Sequence, residues 1–361
     1  MRRKVGDYVM EDLIGRGQFG EVYRGYHQTT KQEVAIKSMP RSKFVGKVKE
    51  LFESEQKVLK TCKNSNIIKL IETKKTEKNI YMILEYCNEG DLKNYLKKKG
   101  KLAESEAVDI LIQILNGYKT LVKHNIMHRD LKPANILMHN GVIKIADFGF
   151  CKWLDESGKT GTILGSPLNM APEVLLAEKD NKSYTSAADI WSIGTIIYEL
   201  LFGTPIYNIP VPDVKTLTAL VETYPEIKIP KPGYKISKVV EDVLKRMLTY
   251  DPAKRITWEE LFGHSINTYR EEKTLKELNT SLNNSTDKTI LENMSKFYIR
   301  TNQVVNNLRD YNKKSQINNY VKKAAKGEAD KTAGYNGPII QNTEENTDQE
   351  EEYGKIMIWK L

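Results

Sequence analysis

Only three cysteines occur in the 361 residues, and Cys62, Cys87 and Cys151 lie too far apart to form a disulfide framework or a CxxC metal pair. A reduced intracellular compartment is therefore the simpler home. No apolar run approaches the roughly 20 residues that span a bilayer, and the opening "MRRKVGDYVMEDLIGRG" has basic residues with no apolar stretch behind them. A soluble, cytoplasmic protein is expected, with peripheral recruitment to a membrane left open. Zinc-finger spacings and an arginine-rich arm are also missing, so the net charge of +9 suits anionic ligands in general. Solubility explains it more simply, and no nucleic acid is expected.

What is present divides near residue 265. Before it, apolar segments recur between Gly and Pro, and the 40% apolar fraction is enough for a sizeable core. After it, Asn, Lys, Thr and Glu dominate, with no proline until Pro338. A helical stripe of Ile290, Met294, Phe297, Ile299, Val304, Val305 and Leu308, followed by Ile317 and Val321, predicts a helical extension over 265–325. Residues 326–361 read as a disordered tail, and its apolar end "KIMIWKL" is either a docking peptide for a protein partner or a buried terminus.

In the first part, "YVMEDLIGRGQFGEVYRGYHQTTKQEVAIKSM" reads as strand, glycine turn, strand, turn and strand, and "NIYMILEYC" as a further strand. "KVKELFESEQKVLKTC" places Val48, Leu51, Phe52, Val58 and Leu59 at helical spacing, giving one helix against that antiparallel sheet. Helical patterning dominates from "DLKNYLKKKGKL" onward. A small sheet-rich lobe joined to a larger helical lobe follows, with the polar run "IMHRDLKPANIL" near the junction. That run is bounded by apolar residues, so its polar members either satisfy one another or face a cleft. In "GRGQFGEV", Gly15, Gly17 and Gly20 leave room for backbone N–H groups to approach an anion, phosphate above all. The dinucleotide-binding version of this motif runs from strand into helix, whereas "EVYRGY" alternates like a strand, so a hairpin covering phosphates is expected.

"GRGQFGEV", "VAIK", "HRDLKPAN", "DFG", "APE" and "DIWSIG", in that order, resemble the eukaryotic protein kinase family. "LEYCNEGDLKNYL", "IADFGF" and "GSPLNMAPEVL" look most like its ULK-type autophagy-initiating serine/threonine members. The resemblance implies an α+β, bilobal fold over residues 8–264, with an N-lobe over 8–86 and a C-lobe over 87–264. It implies transfer of the γ-phosphoryl of ATP, with Mg²⁺, to Ser or Thr hydroxyls of protein substrates. A catalytically weak scaffold of the same fold is the alternative, but Lys37, Asp130 and Asp147 are all retained.

The resemblance also assigns roles. Lys37 would pair with the α- and β-phosphates and be oriented by Glu55, chosen over Glu50 and Glu53. Asp130 would accept or orient the proton of the incoming hydroxyl, Lys132 would reach the γ-phosphoryl, and Asn135 and Asp147 would bind metal. His128 is read as structural. Leu84 matches the gatekeeper, Glu85 and Cys87 would read the adenine edge through their main chains, and Asp91 would meet the ribose. Ile14, Val22, Ala35, Leu137 and Ala146 would enclose the ring.

In "DFGFCKWLDESGKTGTILGSPLNMAPE", Thr162 matches the activation-loop phosphosite, with Thr160 as rival. A phosphate there would pair with Arg129, expected to lack a partner otherwise, because "KTGTILGS" brings no carboxylate close to Ser166. Order through Trp153 and Ile163 without modification is the alternative. Glu173 and Arg255 should form a buried ion pair, and Asp189 should brace the catalytic loop. Asn169 departs from the family, which commonly has tyrosine there.

Overall fold

Alternation along "EVAIKSMP" makes a strand whose two faces do different work. Val34 and Ile36 are fully buried on one face, while Ala35 and Lys37 share the other. In the computed structural model this strand, β4 (Glu33–Pro40), lies inside a six-stranded antiparallel sheet of order β1-β2-β3-β4-β6-β5. The remaining strands are β1 (Arg3–Val5), β2 (Tyr8–Gly17), β3 (Gly20–His27), β5 (Leu70–Lys75) and β6 (Asn79–Glu85). The structure describes residues 3–17, 20–154, 160, 165–177, 183–209, 214–227, 229–230, 236–270 and 272–274. The calls on the tail beyond residue 274, and on Thr162 and Ile163, fall outside them.

The sheet curls, and β2 shifts register against β3 between Met10 and Leu13 and again between Leu13 and Gly15. Val5, Tyr8, Met10, Val34, Ile36, Tyr81 and Ile83 form one core cluster. Met39, Phe52, Ile80 and Met82 form another, joined by Phe44, Val48 and Leu51 from the helix side. Phe52 comes from α1 (Gly46–Thr61), whose buried residues Phe52, Glu55, Val58 and Leu59 recur at helical spacing. Strands β1 and β5 were not anticipated: β1 is only three residues long, and "LIETKK" has mixed polarity with every residue but the last part-buried.

The second lobe is mainly helical. It contains α2 (Leu92–Lys99), α3 (Glu104–Lys123), the single-turn α4 (Pro172–Leu175), α5 (Ala187–Phe202), α6 (Val214–Thr223) and α7 (Lys238–Met247). The stripe of Trp191, Ile193, Ile196, Ile197 and Leu200 is buried in α5. Trp191, Ile193, Ile196 and Leu200 are fully enclosed, as expected of a helix too apolar for a surface. Arg255 holds Glu173 with two bonds of 2.6 and 2.8 Å and lies 5.2 Å above the Trp191 ring. Its remaining donors reach the carbonyls of Thr249, Ala187 and Tyr250. Two short ribbons adjoin the lobe junction, β7 (Ile126–Met127) with β10 (Lys152–Trp153) and β8 (Ile136–His139) with β9 (Val142–Ile145).

The chain divides into two units between Trp258 and Glu259. In the second, a 3₁₀ turn at Ser265–Thr268 is capped by His264, whose Nδ1 accepts from the Ile266 N–H at 3.0 Å. No helix among the described residues is long and apolar enough to cross a membrane.

Candidate active site

Antiparallel pairing sets Gly15 opposite Val22, Val22 opposite Lys37, and Ala35 opposite Leu84. Residues opposed in a ladder point to the same face, so the sheet gathers these side chains on one surface. Gly20 is required by close approach, because a Cβ there would sit 1.9 Å from the Ser38 carbonyl oxygen. Gly15 and Gly17 meet no such obstacle, and Ile14 is 47% exposed at the edge of the sheet. Leu137 on β8 is part-buried, and Ala146, buried, follows β9 and donates its N–H to the Asn135 carbonyl at 2.9 Å.

Lys37 reaches both carboxylate oxygens of Glu55 at 2.8 Å and lies 3.7 Å from Asp147 Oδ1. Burial works against its charge, yet the carboxylates of Glu55 and Asp147 outweigh burial and hold the ammonium above its ordinary range. Burial likewise pushes the Glu55 carboxyl up, with Lys37 opposing. Glu53, one of the two rivals, is exposed, as is Glu50.

Asp130 is 3% exposed and fully engaged. Asn135 Nδ2 donates to its main-chain oxygen at 2.8 Å and to Oδ2 at 2.9 Å, while Lys132 Nζ lies 3.1 Å from Oδ2. Ser166 donates to Oδ1 at 2.9 Å and accepts from Lys132 at 2.7 Å. The polar members of "IMHRDLKPANIL" thus largely satisfy one another beside the core. His128 has the structural place expected: Nε2 sits 3.1 Å from the Ala146 carbonyl, Nδ1 accepts from the Asp130 N–H at 3.3 Å, and the ring packs on Phe148.

Asp189 accepts from the main-chain N–H groups of His128 at 2.6 Å and Arg129 at 3.0 Å, and from the Tyr118 hydroxyl. Burial pushes its carboxyl up against those three bonds and the field of His128. The braced loop holds Arg129 at φ 68°, and Asp147 also lies in the left-handed region at φ 59°, costly conformations for side-chain-bearing residues that cluster at functional sites.

Three expectations need correction. Arg129 is already partnered without a phosphate: Nε donates to the Phe150 carbonyl at 2.6 Å, and its positive charge opposes the rise that burial imposes on the Tyr184 hydroxyl. Ser166 does have a carboxylate beside it, Asp130, supplied from 36 residues away in sequence. Gly165 makes that approach possible, since a Cβ there would lie 2.3 Å from the Arg129 carbonyl oxygen. Thr160 is 3% exposed, exchanges main-chain hydrogen bonds of 2.9 and 2.7 Å with Tyr184, and accepts from Lys152, which leaves it poorly placed as a rival phosphosite.

The residues expected at the nucleotide edge differ in their engagement. Glu85 turns its carboxylate to Lys144 at 3.0 Å and the Lys69 N–H at 2.7 Å, and its own N–H donates to the Lys69 carbonyl at 3.0 Å. Cys87 N–H bonds to no described residue. Asp91 caps α2, accepting from the Asn94 N–H at 2.8 Å and the Asn94 side chain at 2.7 Å. Asn169 donates to Thr195 at 2.7 Å and accepts from Ser192 at 2.7 Å, anchoring the segment on α5 where the family commonly places a tyrosine.

Residues 8–266 match the protein kinase domain family. The chain belongs to that family. This kinase chain is 38% identical to the serine/threonine-protein kinase atg1 of Dictyostelium discoideum over 273 residues, 73% of the chain and 39% of that relative. It is 35% identical to ATG1c of Arabidopsis thaliana over 274 residues, 74% of the chain and 36% of the relative. With unc-51 of Caenorhabditis elegans identity is 36% over 277 residues, 73% of the chain and 31% of the relative. The kinase chain therefore spans well under half the length of these curated relatives. Of its functional residues, Ser166 was missed in sequence: it is quoted within "GSPLNMAPE", yet no local pattern reveals that Asp130 is its partner.

Proposed function

We propose that this chain is an ATP-dependent serine/threonine protein kinase. The observation that carries the reading is a pair of charged clusters, Glu55–Lys37–Asp147 and Asn135–Asp130–Lys132 with Ser166, linked where the Ala146 N–H beside Asp147 donates to the Asn135 carbonyl. In this reading Lys37, held by Glu55, binds the α- and β-phosphates under the glycine hairpin of Gly15, Gly17 and Gly20. Ile14, Val22, Ala35, Leu84, Leu137 and Ala146 enclose the adenine, and the main chains of Glu85 and Cys87 read its edge. Asp91, its carboxylate engaged as a helix cap, meets the ribose at most through a shared bond.

Asp130 orients the acceptor hydroxyl and takes its proton as the oxygen attacks the γ-phosphorus and the bond to the β,γ-bridging oxygen breaks, releasing ADP. Lys132 balances the charge on the transferring group, and Ser166 fixes both Lys132 and Asp130. Asp147 and Asn135 would hold Mg²⁺: the Asp147 carboxylate is 44% exposed, and Asn135 spends its amide nitrogen on Asp130, leaving its side-chain oxygen clear of those bonds. Such hard oxygen donors suit that ion, which when bound neutralises phosphate charge.

Lys132 within "DLKPAN" supports Ser or Thr as acceptor. Regulation through Thr162 acts on Arg129, where an incoming phosphate competes with the Phe150 carbonyl. A role in autophagy-type signalling is supported by the likeness to the atg1, ATG1c and unc-51 kinases, a cytoplasmic location by the three dispersed cysteines, and a tail-borne partner by the apolar "KIMIWKL".

The test is incubation of the purified chain with labelled ATP and Mg²⁺ on degenerate peptide arrays, beside Asp147→Asn checked by circular dichroism. Label on Ser and Thr peptides is expected, with the variant folded and its rate reduced by about 10²-fold or more. No label above background, or more than about a tenth of the rate in Asp147→Asn, overturns the reading.

A further inference from the structure

Trp153 stands in β10 opposite Ile126 of β7, with its indole N–H buried and without a hydrogen-bond partner among the described residues. The ammonium of Lys57, an exposed residue of α1, lies 4.5 Å from the centre of the ring. Phenylalanine would fill the same place with no orphaned donor. What indole adds is the strongest aromatic face for a cation.

Lys57 is two residues beyond Glu55, and a helix turns about 200° in two residues, so the two side chains leave α1 in different directions. Glu55 ties the helix to Lys37 of the sheet. Lys57 ties it to the β7–β10 ribbon. One strand of that ribbon runs directly into His128, Arg129 and Asp130, and the other follows the Asp147 segment. The helix that presents Glu55 is therefore held from the catalytic side by a contact that needs no phosphate.

We infer that Lys57 and Trp153 are a positioning pair that keeps α1 where Glu55 meets Lys37, in the unmodified protein as well as in any phosphorylated form. This rests on the kinase reading above, because the consequence for rate acts through Lys37. Lys57 touches no reacting group, and its effect comes from the orientation of the helix.

The test compares Lys57→Met, Lys57→Arg, Trp153→Leu and the double variant Lys57→Met/Trp153→Leu in the full chain. The readouts are amide hydrogen exchange of α1 and kcat/KM for ATP. Lys57→Met and Trp153→Leu are each expected to speed exchange in α1 and to lower kcat/KM about three- to tenfold, the range of a partly desolvated cation–π contact. The double variant should be no worse than the worse single, and Lys57→Arg should keep the native values, since guanidinium also stacks on indole. Unchanged exchange in α1 for Lys57→Met, losses that add in the double variant, or an equal loss in Lys57→Arg overturns the inference. If Trp153→Leu fails to fold, Lys57→Met against Lys57→Arg decides alone, because Lys57 is exposed. If the wild-type chain transfers no phosphate, the kinase reading falls while exchange in α1 still decides the pair.

Discussion

Ser166 joins the segment before α4 to Asp130: its hydroxyl donates to Asp130 Oδ1 at 2.9 Å. Lys132 donates to the same hydroxyl at 2.7 Å, so one small side chain fixes both groups. Ser166→Ala removes this bridge and leaves the Lys132–Asp130 pair free to shift. A fall in kcat of about tenfold or more is expected, with little change in KM for ATP, since the loss acts on the transfer step. Ser166→Thr keeps the hydroxyl and should retain most of the rate. Steady-state kinetics of the two variants at saturating ATP checks both.

Glu55→Gln and Glu53→Gln separate the helix register. Glu55 is 2% exposed and gives both oxygens to Lys37, whereas Glu53 faces solvent. Glu55→Gln leaves a buried cation short of its main partner, a change that costs about 3–5 kcal/mol when such a pair is broken. Activity should fall by about tenfold or more, while Glu53→Gln should stay within about twofold of wild type. Equal rates for the two would show that another glutamate orients Lys37.

Thr162 and Thr160 should differ in modification. Thr160 is paired through its main chain with Tyr184 and buried, so its hydroxyl reaches another kinase only after that pairing opens. Peptide mapping of active protein is expected to find phosphate on Thr162 and not on Thr160. Thr162→Ala should lose most activity, unless the Arg129 bond to the Phe150 carbonyl and the Thr160–Tyr184 main-chain pairing already order the segment. Full activity in protein shown to be free of phosphate would assign the order to those bonds.

The thiols should be inert near neutral pH. Burial pushes Cys62 from its ordinary 9.0 to about 11, burial with the Glu85 charge pushes Cys87 to about 12, and burial also raises Cys151 well above its ordinary value. At pH 8 the Cys62 thiolate fraction is then about a hundredfold below that of an unfolded thiol. Alkylation by iodoacetamide should be correspondingly slow in the native protein and rapid in urea. The folded form keeps these protons longer than the unfolded chain does, so their contribution to stability is complete below the unfolded value of 9.0 and declines as pH rises from there. Urea midpoints measured between pH 8 and 10 would show the decline.

Local pattern by itself determined the strands with clean alternation, the α1 stripe of Phe52, Val58 and Leu59, and the buried α5, because burial periodicity is written along a short stretch of chain. Glu55, whose carboxylate meets Lys37 from 18 residues away, was selected by the resemblance to protein kinases and not by local pattern. What only the tertiary structure decided lies where side chains from distant elements compete for one partner. Asp130 closes on Ser166, Arg129 on the Phe150 carbonyl, and Lys57 on Trp153. β1 and β5 belong here too, since a three-residue strand and a part-buried one owe their place to the neighbours they pair with. A sequence motif names the group that carries a charge, but which oxygen or ring satisfies it depends on distances and on the left-handed turns at Arg129 and Asp147, a conformation uncommon for residues other than glycine.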